Sequence, residues 1–107
     1  MAQTAKRLID GAQMTGAPTT YFTATATTVV KRLLLCNTTI GAVACTVYLV
    51  PSADVAGAAN TIISSRQVTA GETLICPEAE NMVLEIGGTI QAKGSNVSIL
   101  ASGIEIT

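Results

Sequence analysis

Histidine is absent from the sequence, so the serine–histidine and cysteine–histidine pairs that activate a nucleophile are excluded. Carboxylates remain, and Glu78 with Glu80 is a closely spaced pair of the residue type a glycosidase uses as acid and base. Their setting, Glu78-Ala79-Glu80-Asn81, is a polar link between apolar runs and reads as a solvated turn, not a cleft. Asp10, Asp54, Glu72 and Glu78 fall near expected turns, where carboxylates can gather around calcium. No loop, however, has the dense acidic and amide spacing of such a site. The cysteines, Cys36, Cys45 and Cys76, are three in number and each lies among apolar residues. An odd count in that setting reads as small buried hydrophobes with free thiols, with one disulfide plus one thiol as the alternative. No Cys-x-x-Cys spacing supports zinc, and no helix follows Gly87-Gly88 to make it a phosphate cradle. No enzyme activity, metal or cofactor is expected.

Composition points instead to a partner. Hydrophobic residues make up 49% and charged residues 12%, about half the usual charged share. A domain of 107 residues has much surface for its volume, and so few charges leave apolar surface uncovered. The basic residues Lys6, Arg7, Lys31, Arg32, Arg66 and Lys93 are scattered and the net charge is −1, so a nucleic-acid stripe is not expected. Tyr21, Phe22 and Tyr48 are the aromatic residues, too few for stacking bases and few for stacking sugars. A carbohydrate-binding module stays open as a rival class on the β-rich pattern. The first ten residues lack the apolar run of a secretory signal, and no stretch of about 18 apolar residues would cross a membrane. Synthesis in the cytoplasm without a membrane stage is the expectation.

The elements that would position these residues are strands. The closing stretch, Val83-Leu84-Glu85-Ile86-Gly87-Gly88-Thr89-Ile90-Gln91-Ala92-Lys93 and then Asn96 to Thr107, alternates apolar and polar residues between turn residues. Gly87-Gly88 is expected as a two-residue hairpin turn, and Lys93-Gly94-Ser95-Asn96 as the next turn. Val97, Ile99 and Ala101 lie on odd positions but Ile104 and Ile106 on even ones, so a bulge is expected at Ser102-Gly103, with Gly103 at positive φ. Val43, Cys45, Val47 and Leu49 should face the core. Strands are also expected over 61–68 and 73–76, and a strand over 5–9, with 1–20 as an extended N-terminal arm in the alternative. Within Val29 to Cys36, Lys31 and Arg32 should point opposite ways, and the second half is apolar on both faces. One of those faces needs a cover, so Leu33, Leu34 and Leu35, with Tyr21, Phe22 and Tyr48, are the candidate subunit or shell interface. The sum is an all-β chain: one antiparallel, jelly-roll-like β-sandwich over 1–107, of about eight short strands.

The succession of these strands resembles the small β-sandwich virion proteins of tailed bacteriophages, used in capsid decoration (cement) and in tail or fibre attachment. It is carried by Tyr21-Phe22-Thr23-Ala24, Val30 to Thr39, Val43 to Pro51, Ala70-Gly71-Glu72-Thr73, Leu84 to Ala92 and Ser102 to Ile106. The resemblance implies a non-catalytic structural protein of the virion. Binding to the major capsid protein as a decoration protein is the first reading, and a tail, spike or fibre adaptor the second. A symmetric homo-oligomer is expected, a trimer before a dimer, since soluble homo-oligomers favour closed symmetry.

Overall fold

A computed structural model describes residues 2–106 as two antiparallel sheets packed face to face. The strands are β1 (Gln3–Gln13), β2 (Thr19–Thr23), β3 (Thr27–Asn37), β4 (Val43–Val50), β5 (Thr61–Val68), β6 (Thr73–Ile75), β7 (Met82–Leu84), β8 (Thr89–Lys93) and β9 (Val97–Ile106). The first sheet runs β1-β9-β3-β6, with β7 also on β3, and the second runs β2-β8-β4-β5. Most links therefore cross from one sheet to the other, and this strand order is that of a jelly roll. The strand expected over 5–9 runs from Gln3 to Gln13 and pairs with β9 from end to end as an edge strand.

Alternation decides what fills the space between the sheets. Val43, Cys45, Val47 and Leu49 of β4 face inward as expected, against Leu33 and Leu35 of β3 and Ile99 and Ala101 of β9 within one apolar cluster. The reading of the two glycine-bearing turns is corrected in part. Gly87 does hold φ +90, and the Gly88 N–H donates to the Glu85 carbonyl, but this turn carries the chain from β7 in one sheet to β8 in the other. The link over 94–96 likewise changes sheets and makes no hairpin.

The expected bulge is placed differently. The backbone of β9 keeps one phase, with Val97, Ile99, Ala101 and Gly103 all buried, and the extra residues sit on its two neighbours. On β3, Val30 pairs with Gly103 and Arg32 with Ser102, which leaves Lys31 as the inserted residue. On β1, Arg7 pairs with Ser102 and Ile9 with Ala101, which inserts Leu8. A bulge shifts the side-chain phase by one. That is why the buried residues of β3 change from Thr28 and Val30 to Leu33, Leu35 and Asn37, and why Lys31 and Arg32 are both exposed and do not straddle the sheet. Gly103 is not among the glycines at positive φ. It is required by proximity, because a Cβ there would overlap the Val29 carbonyl oxygen and stand 2.9 Å from Leu8 Cδ1.

The link after β3 is organised by Asn37, a fully buried polar side chain. Its Nδ2 donates to the carbonyls of Gly41 and Val68, both at 2.8 Å, and its Oδ1 accepts from the Thr39 N–H at 2.9 Å and the Thr39 hydroxyl at 2.6 Å. Burial without those partners would be costly, so the amide fixes both the link and its contact with β5.

Candidate functional site

The six interface candidates are not brought together. Leu33 and Leu35 are fully buried in the core and have no surface to offer, which corrects their place in the candidate set. Phe22 and Tyr21 lie on β2, packed against the core, and the Tyr21 hydroxyl is buried without a hydrogen-bond partner. Tyr48 is 8% exposed, on the face of β4 away from the main cluster. Leu34 alone lies on the outer surface of the first sheet, paired with Leu100 on one side and Ile75 on the other.

Register extends that surface in both directions, because residues paired across strands share a face. Leu34 and Leu100, with Ile75 48% exposed at the edge, form one apolar row. Ala5, Ile104, Val29 and Val83 form a second, with Val83 57% exposed. Between the two lies a polar row, Arg7–Ser102–Arg32, set by pairing of both arginines with the same β9 residue. Strands are about 4.8 Å apart, so the two arginine Cα atoms stand roughly 10 Å from each other across β9. A depression of about 160 Å³ opens there, lined by Arg7, Arg32, Leu34, Leu100, Ala101 and Ser102. The outer surface of the second sheet differs in kind, since its paired residues include Thr46 with Lys93 and Tyr48 with Gln91.

Several of the carboxylates have local partners. Glu78 makes a two-pronged pair with Arg66, through Nη1 to Oε1 at 3.1 Å and through Nη2 to Oε2, joining β5 to the link after β6 across the open side of the sandwich. The Arg66 hydrogen bond holds the Glu78 carboxyl below its ordinary range, and Glu78 in turn raises Arg66. Glu72 accepts the Thr69 N–H at 3.1 Å and Asp54 accepts the Val55 N–H at 2.8 Å, each closing its own turn. Glu80 forms a loose, solvent-exposed ion pair with Arg32, 3.9 Å from its Nε and too long for a hydrogen bond. No group of three or more acidic or cysteine side chains able to hold a metal occurs among the described residues.

Cys45 and Cys76 are buried, Cys36 is half-buried, and all three are free. Burial pushes the Cys76 thiol up to about 11, the nearby Arg66 opposing that rise, and burial raises Cys45 as well. Neutral thiols are poor nucleophiles, so these two serve as packing groups.

What sequence reading missed is the arginine row. Arg7 and Arg32 lie far apart along the chain and meet only because β9 runs between them. One local signal was present: two consecutive charges, Lys31-Arg32, inside an otherwise apolar strand mark a bulge that turns both outward. Comparison of the chain with protein-family models, with curated proteins and with solved structures finds no match.

Proposed function

We propose that this chain is a non-enzymatic structural protein of a phage particle, a decoration protein that docks on the head shell through the outer surface of its first sheet. The observation that carries the reading is the pair of apolar rows, Leu34–Leu100–Ile75 and Ala5–Ile104–Val29–Val83, open on one side of a jelly roll. Apolar rows in register on a flat sheet are the surface that sheet packing normally consumes, and exposed apolar patches mark partner surfaces. The face is roughly 20 Å by 25 Å from strand spacing and rise, about what one side of a standard protein interface needs once side-chain relief is counted. The absence of histidine and the local engagement of Glu72 and Glu78 support the non-catalytic part.

The test is addition of the purified protein to phage heads that lack it. Saturable binding is expected, and Leu34→Asp with Ile75→Asp should abolish it while leaving the melting temperature close to that of the parent, because both side chains lie on the outer surface. Absence of saturable binding to heads, with binding to tail components, would move the role to a tail adaptor. Undiminished head binding by the double variant would remove this face from the interface.

A further inference from the structure

On the docking role given above, we propose that Arg7, Ser102 and Arg32 form a carboxylate seat, which receives an aspartate or glutamate side chain of the partner protein. The two guanidinium groups start from neighbouring strands on either side of Ser102 and border one depression of about 160 Å³. Arginine presents a planar fork of donors that matches a carboxylate, and two forks from opposite sides can hold both oxygens of one group. Arg7 offers its donors without competition, and the Arg32 pair with Glu80 is long and solvent-exposed, so an incoming carboxylate can displace it. Arg7 forms no ion pair among the described residues, and Glu80 approaches Arg32 only to 3.9 Å, with the Arg32 side chain 58% exposed.

Charge also selects the occupant. A second copy laid face to face with its rows aligned would put arginine against arginine in the centre of the contact. The seat therefore fits a different chain, one carrying an acidic side chain between apolar ones, since Leu34 and Leu100 border the same depression. A nucleic-acid phosphate would find Arg7, Arg32 and the outward Lys31, but no continuous basic stripe and apolar rows on both sides that offer it nothing. A protein surface uses all three rows at once, with the charge fixing register and the apolar rows excluding water around it.

The experiment uses the full chain labelled with nitrogen-15, and follows the side-chain Nε–Hε signals of Arg7 and Arg32. The probes are N-acetyl-Leu-Glu-Leu-amide, its Leu-Gln-Leu counterpart and inorganic phosphate. The glutamate peptide should move both arginine signals together and saturably, and the glutamine peptide should move neither. Absence of a joint shift, an equal shift with the glutamine peptide, or tighter saturation by phosphate would each overturn the seat. A second arm measures binding of Arg7→Gln/Arg32→Gln protein to heads, with Leu34→Asp as the reference for loss of the whole face. A loss of about tenfold or more and a flatter salt dependence are expected, as for removal of a charge-assisted contact. If the glutamate peptide binds as described while neither variant alters head binding, the seat stands and docking on the head through this face falls.

Discussion

Replacing Gly103 by alanine probes the most crowded backbone in the sandwich. Two inserted residues, Lys31 on β3 and Leu8 on β1, converge on this position from opposite sides. An added methyl would overlap the Val29 carbonyl oxygen and come within 2.9 Å of Leu8 Cδ1. The leucine end can turn away, but the carbonyl belongs to the ladder between β3 and β9 and cannot move without disturbing it. Gly103 is buried and its φ is not positive, so two explanations predict different results. If glycine served only flexibility, alanine would stabilise the fold by about 0.4–1 kcal/mol through the unfolded chain. Overpacking against fixed backbone costs about 1–3 kcal/mol and dominates here. At about 4–8 °C per kcal/mol for a domain of this size, the melting temperature should fall by about 5–20 °C. Thermal unfolding followed by circular dichroism gives the answer, with valine expected to be worse than alanine. An unchanged or raised melting temperature for Gly103→Ala would show that the two strands do not close on this residue.

Asn37→Ala should cost about 1–3 kcal/mol in urea unfolding, because it strips the Val68 carbonyl of its buried side-chain donor and leaves Gly41 only the Thr39 hydroxyl. Thiol titration of freshly unfolded protein without reductant should count Cys36, Cys45 and Cys76, whereas in the folded protein Cys36 should react first. A count of one would reveal a disulfide. Stability should fall as pH rises from about 9 toward 11, because the unfolded chain releases the Cys76 proton near 9 while the folded chain keeps it to about 11. Cys76→Ala should flatten that part of the pH curve, and a curve unchanged from the parent would assign the slope to other groups. Arg7→Glu should let copies pair face to face, charge against Arg32, so light scattering at micromolar concentration should show more association than in the parent.

The layers of this fold were legible because alternation along a strand is a local property. Val43, Cys45, Val47 and Leu49 reveal their common face to anyone who counts by two, and they line the core. Partnership is not local. Gly87-Gly88 forms a tight turn either way, and whether the next strand pairs back or crosses to the other sheet depends on residues far along the chain. The phase conflict near Ser102-Gly103 is resolved on neighbouring strands for the same reason. The sequence of β9 suggests a slip by itself, yet the slips lie in β1 and β3, where Leu8-Ile9 are buried together and Lys31-Arg32 are exposed together. The apolar run Leu33-Leu34-Leu35 has no marked side in sequence; only the bulge decides that Leu34 is the residue facing out.

An open apolar sheet face is a hazard as well as an opportunity, since it can pair with any similar surface, including its own copies. Placing Arg7 and Arg32 in the middle of that face separates the two outcomes. Against another copy the arginines meet like charge in a contact that would exclude water, where repulsion is strongest. Against an acidic partner the same groups become the attractive centre, and the apolar rows beside them lower the local dielectric and strengthen the pairing. Discrimination is a difference between two affinities, so a single charged row that lowers one and raises the other is worth more to specificity than to tightness. The bulge at Lys31 is what makes this possible, because unbroken alternation from Val30 through Lys31 would turn Arg32 inward and Leu33 outward.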